Sequence, residues 1–155
     1  MDALQGRCYL AALATAFEAF EKPGLVVNYK VSNVAIYKGG LLGINSSGYL
    51  IPMAHGTGSL KFAGVAAESV NNAAGSAGDK GILACKVGSF IFKAVSGFTP
   101  AITDLGKEVY ANTDWEVQIA TAGLTNQYKV GTITAIETTS TGAAGVRVRI
   151  DNYSV

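Results

Sequence analysis

The chain is predicted to be all-β, a compact β-barrel or β-sandwich of roughly nine or ten short strands, preceded by a short N-terminal helical arm. Three observations predict this. Apolar and polar residues alternate with period two in several short runs, clusters of Gly, Asn and Ser separate those runs, and a helical period occurs only before Gly24. Glycine is abundant, 19 of 155 residues, while proline is scarce at 3, so the chain turns often and stiffens few of its turns.

The arm comes first. Leu10, Leu13, Phe17 and Phe20 are spaced 3, 4 and 3 apart, the stripe of an amphipathic helix, and the intervening alanines add helix propensity. Pro23-Gly24 stops it, with Lys22 near the negative end of the helix dipole. Residues 1–24 are therefore read as the arm and residues 25–155 as the β body. An isolated helix of this length is marginal without a partner. The stripe is expected to dock in a neighbouring subunit or, alternatively, to cap one end of its own barrel.

In the body, Val27, Tyr29 and Val31 alternate with Asn28, Lys30 and Ser32. Trp115, Val117 and Ile119 alternate with Glu116 and Gln118, and Val146, Val148 and Ile150 with Arg147, Arg149 and Asp151. Each run predicts one buried and one wet face, with Trp115 pointing inward. Further strand-like runs are Leu41 to Ile44, Tyr49 to Met53, Leu60 to Ala66, Gly81 to Val87, Ser89 to Val95, Glu108 to Ala111 and Lys129 to Glu137. Turn signals at residues 45–48, 74–79 and 138–145 separate them.

Charge narrows the function classes. Lys and Arg number 12 against 11 Asp and Glu, without a basic cluster, which argues against nucleic-acid binding by phosphate neutralisation. Only 15% of residues are charged, so Ser, Thr, Asn, Gly and Ala must form much of the outside. That skin suits burial in an assembly, whose interface cores are poor in charge. It also suits an ordinary domain with a neutral surface. No apolar run approaches the roughly 20 residues of a membrane-spanning helix. The stretch from Cys8 to Phe17 imitates a signal peptide, but Asp2 cancels Arg7, and the segment is read as part of the mature protein.

The chemistry-bearing residues form no motif that calls for a catalytic role, a metal or a cofactor. Cys8 and Cys85 lie far apart and make neither a metal motif nor a redox pair. The single histidine, His55, sits in a turn-like stretch and is expected to be an exposed loop residue. Gly56-Thr57-Gly58-Ser59-Leu60-Lys61 resembles a phosphate cradle only faintly. A strand is expected to follow it, not the helix whose amides would face an anion. Asp114 and Glu116, two apart, are read as a solvated strand start, not an acid–base pair.

Several segments together resemble the tailed-bacteriophage capsid cement, or head decoration, proteins. They are Gly39-Gly40-Leu41-Leu42-Gly43-Ile44, Phe62-Ala63-Gly64-Val65-Ala66, Val87-Gly88-Ser89-Phe90-Ile91-Phe92, and Thr103-Asp104-Leu105-Gly106-Lys107-Glu108-Val109-Tyr110-Ala111. Val130-Gly131-Thr132-Ile133 and the last strand, Val146 to Asp151, complete the likeness, which runs from about Leu25 to Asp151. The stripe before Gly24 is not part of that pattern. The resemblance implies a structural, non-enzymatic protein of the virion, made in the bacterial host and placed on the capsid exterior. It implies the major capsid protein as partner, a trimeric or dimeric state, and no cofactor, nucleic acid or membrane. The residues expected to touch partners are Leu10, Leu13, Phe17 and Phe20, from the arm's own stripe, and Arg147 and Arg149 on the wet face of the last strand, as contacts to an acidic capsid patch under the resemblance. A phage tail-tube or tail-terminator subunit is the alternative, and an enzyme or a β-structured carbohydrate-binding module are further ones. The module usually presents exposed aromatics, and Tyr37, Tyr49, Tyr128 and Tyr153 do not cluster in sequence.

Deleting residues 1–22 is expected to leave the β circular-dichroism signal intact while weakening attachment to particles. Loss of that signal would assign the stripe to the protein's own core.

Overall fold

A computed structural model describes residues 25–151. The helical reading of Leu10 to Phe20 lies outside the described residues, as do Cys8 and Tyr153. Strands follow one another as β1 (Val26–Lys30), β2 (Ala35–Ile36), β3 (Leu41–Ile44), β4 (Leu50–Pro52), β5 (Lys61–Ala66) and β6 (Val70–Asn71). Then come β7 (Gly81–Cys85), β8 (Val87–Ala94), β9 (Glu108–Ala111), β10 (Glu116–Gln118), β11 (Lys129–Thr138) and β12 (Ala144–Asp151). A 3-10 turn, Ile102–Asp104, precedes β9. Every run read as a strand is one. The additions, β2 and β6, are two residues each, too short to show a period.

Of the barrel and the sandwich that the sequence left open, a closed barrel is present, in the order β10-β8-β12-β11-β9. Beside it, and not foreseen as a separate layer, stands a five-stranded sheet, β1-β7-β5-β3-β4, with a small β2-β6 ribbon. Barrel and sheet share one apolar interior. Phe92, Val109, Val117, Ile133, Val146, Val148 and Ile150 fill the barrel, and Leu41, Met53, Leu60 and Val65 from the sheet side close it. A second core, built on Leu42, Ala63, Ala66, Ile82 and Ala84, lies on the other face of the sheet with Val31 and Ile36. Strands β3 and β5 are thus buried on both faces, which is why they read as unbroken apolar runs while β1 and β12 alternate.

Two connections fix the layers. One residue, Lys86, joins β7 of the sheet to β8 of the barrel. It is buried, and its ammonium donates to the Tyr29 hydroxyl at 3.0 Å and sits 5.2 Å from that ring's centre. On one barrel rim, Leu41 N–H donates to the Asp114 carbonyl at 2.7 Å and His55 N–H to that of Asn112 at 3.2 Å.

The pleat fails at one predicted place. Trp115 does not point inward: it is 49% exposed, while Gln118, expected on the wet face, is buried. Strand β10 begins only at Glu116, so Trp115 lies on the preceding bend and escapes the alternation. Gln118 is tolerated because its amide donates to the Ala120 carbonyl at 2.6 Å and accepts from Asn112 at 3.1 Å.

Gly64 occupies the tightest point of the sheet, where the β3-β5 register shifts. Its φ is +139°, and a Cβ there would collide with the Cys85 carbonyl. Gly64→Ala is expected to destabilise the protein by roughly 2–4 kcal/mol, from left-handed strain together with overpacking. Urea unfolding at constant m-value measures it.

Candidate interaction surface

The charged side chains of the barrel surface largely neutralise one another. Lys93 pairs with Glu116 at 2.7 Å, Lys107 with Asp104 at 2.8 Å, Lys129 with Glu108 at 2.6 Å and Arg149 with Asp151 at 3.0 Å. Arg147 pairs with Glu137. The hydrogen bond and charge of Lys129 hold the Glu108 carboxyl below its ordinary range. Arg147 and Arg149 do lie on the wet face of β12, as their alternation predicts. Each has a carboxylate on its own chain, so a partner's acidic group would compete with an existing pair. Exposed pairs of this kind are worth little on their own, and their effect is to leave the surface with a weak net field.

On that background the exposed apolar side chains are conspicuous. Leu25, Tyr37, Ile91 and Trp115 are among them, but Ile102, at 76%, is the most exposed of those described, and Leu105, at 43%, lies three residues on. Ile102 and Leu105 both belong to the connection between β8 and β9. The ends of β8 and β10 lie side by side (Val117 opposite Ala94), the start of β12 is opposite Lys93, and β11 ends opposite that start, so this connection leaves from a common rim. It returns along β11, with Gly106 N–H donating to the Ile133 carbonyl and Ile133 N–H to that of Lys107, both at 2.9 Å.

The turn that carries these residues is clamped by a single carboxylate. Asp104 is buried, and its Oδ2 accepts from Ala101 N–H at 2.9 Å while Oδ1 accepts from the Lys107 ammonium at 2.8 Å. Its own N–H donates to the Ala101 carbonyl at 2.8 Å, and Gly106, at φ +83°, reverses the chain into β9. The hydrogen bond from Lys107, then that from Ala101, holds the Asp104 carboxyl below the usual carboxylate range. Two apolar side chains therefore stand in water on an ordered turn. Such a group loses little conformational freedom when a partner covers it.

The other residues singled out in the sequence fall into structural places. His55 is half-buried rather than exposed, because Thr125 N–H donates to its Nδ1 at 3.1 Å and Asn126 donates to its carbonyl at 2.7 Å. The glycine run after it leads into β5, as read, and not into a helix. Glu116 is held by Lys93, and burial raises the Asp114 carboxyl above its ordinary value. Among the described residues no three His, Cys, Asp or Glu side chains come together as a metal-binding group. Leu10, Leu13, Phe17 and Phe20 lie outside the described residues. Sequence reading did not single out Ile102 or Leu105 as contact residues, although Pro100, Asp104 and Gly106 around them carry a turn signature that places apolar side chains outside a pleat.

No protein-family model matches the chain, and no curated protein matches it.

The Asp104 clamp sets an acid dependence. A carboxyl whose folded pKa lies below its unfolded value of about 3.9 adds stability that is complete above the unfolded value and is lost as pH falls through the folded one. Asp104→Asn is expected to lower Tm by a few degrees near neutral pH and to reduce the loss of stability between about pH 6 and pH 3. Paired urea titrations of the two proteins at both pH values test this.

Proposed function

We propose that the protein is a structural subunit of a phage virion that binds the outer surface of the capsid and braces contacts between neighbouring major capsid protein subunits. The observation that carries this reading is the pair Ile102 and Leu105, held outward on an Asp104-clamped rim turn amid charges that are already paired. The likeness of the segments from Leu25 to Asp151 to capsid cement proteins supports it and names the partner. A trimer or dimer set on a local symmetry axis is part of the proposal.

The mechanism is linkage. A subunit that binds the assembled lattice and not its separated parts stabilises the lattice by RT ln(1 + [L]/Kd), about 2.7 kcal/mol per site at a hundredfold excess over Kd. Summed over every occupied axis, that resists the outward pressure of packaged DNA. Adhesion of this kind needs a preorganised apolar contact and no chemical step.

Mixing the full chain with undecorated heads is expected to give stoichiometric, symmetric added density by electron microscopy. Ile102→Glu and Leu105→Glu, which replace exposed side chains and so leave the fold intact, are expected to weaken attachment by roughly 10- to 100-fold each, since burying one such side chain contributes about 1.5–3 kcal/mol. Heads that stay bare overturn the proposal. So do rings or tubes formed by the isolated protein, which would instead indicate a tail-tube or tail-terminator subunit.

A further inference from the structure

The bend that turns Trp115 outward also builds a cleft beside the β11-β12 turn, lined by residues other than those of the Asp104-clamped turn. It encloses about 350 Å³ and is lined by Ile91, Lys93, Trp115, and Thr139, Ser140 and Thr141 of the β11-β12 turn, with Gly39 at its edge. That volume lies at the small end of ligand clefts, roughly 300–1,000 Å³. We propose that this cleft binds a short, neutral oligosaccharide.

The cleft offers what a sugar ring requires. A pyranose presents a C–H face that packs on an aromatic ring and a rim of hydroxyls that both donate and accept. Trp115 supplies the ring and holds it in place: the Lys93 ammonium lies 4.4 Å from the ring centre and is itself fixed by Glu116 at 2.7 Å. Glu116 N–H in turn donates to Thr113 Oγ1 at 3.2 Å, which anchors the bend. An aromatic platform fixed this way is preorganised, so little freedom is lost on binding.

The polar groups match as well. An ammonium has three N–H donors; one goes to Glu116 and one faces the Trp115 ring, so Lys93 keeps one donor for a ligand hydroxyl. On the opposing turn, Thr139 and Thr141 hydroxyls lie 3.0 Å apart, and Thr139 Oγ1 accepts from Ala143 N–H at 3.1 Å. The turn is thereby ordered, with Ser140 and Thr141 facing the cleft. Because Glu116 cancels the charge of Lys93, the cleft has no net attraction for an anion, which favours a neutral ligand over an acidic one.

Trp115 is the only tryptophan in the chain, so its fluorescence reports the cleft alone. Titrating the full protein with soluble trisaccharides of glucose, N-acetylglucosamine and mannose is expected to give a saturable spectral change with at least one of them, at roughly millimolar Kd or tighter. Calorimetry with that sugar should show at least about tenfold weaker binding to Trp115→Ala and to Thr141→Val. Unchanged circular dichroism and unchanged attachment to heads would show that these variants fold and that the rim contact is separate. No saturable response to any of the three sugars overturns the proposal, as does binding that survives Trp115→Ala. Tighter binding of sialyllactose than of lactose would overturn the assignment to a neutral ligand.

Discussion

The apolar interior shared by barrel and sheet is the constraint on which the rest of the structure depends. A five-stranded barrel encloses little space, and its lining residues, among them Phe92, Val109, Val117, Ile133 and Val148, fill that space together with Leu41, Met53, Leu60 and Val65 from outside the barrel. Neither layer would bury its apolar face alone. Closure removes the barrel's own strand edges, while packing across its end covers the face that β3 and β5 present. The one-residue joint at Lys86 carries the chain from sheet to barrel, and Gly64 lets β5 approach the Cys85 carbonyl just before that joint more closely than a Cβ allows.

With the interior committed to packing, the surface acquires two different characters. The rim connection is rigid because Asp104 gathers two donors, and its rigidity allows apolar side chains to stand in water without collapsing inward. The side of the barrel carries paired charges, and the bend before β10 adds an indole beside the exposed Ile91. An apolar knob suits a protein partner, whose surface can close around it and exclude water. A ring flanked by hydroxyls and a neutralised ion pair suits a small polyhydroxylated ligand. The proposed contact with the capsid and the proposed sugar cleft therefore use different residues of the same scaffold.

The pairing of Arg147 and Arg149 within the chain also shapes how a partner would engage. Exposed ion pairs exchange readily and are screened by salt. In the proposed capsid contact these arginines would contribute orientation and selectivity, and the apolar groups the affinity. Such a division is common where a charge-poor patch is ringed by polar residues.

The all-β class, the strand runs and the division into buried and wet faces were legible in the order of residues alone, because period two and glycine punctuation are local consequences of the pleat. Val146, Val148 and Ile150 face inward and Arg147 and Arg149 outward as their alternation requires. The separation into a closed barrel and an adjoining sheet was decided by tertiary structure, since a run such as Leu41 to Ile44 records burial on both faces without naming what covers each. Trp115 went astray because alternation holds only inside a strand, and the start of β10 one residue later depends on pairing with β8 and β9. The clamp at Asp104 is local, joining Ala101, Asp104 and Lys107 at spacings of three, and its turn residues were there to be read. The cleft beside Trp115 was not, because it depends on contacts such as Lys93 with Glu116 across strands, and sequence separation carries no trace of such neighbours.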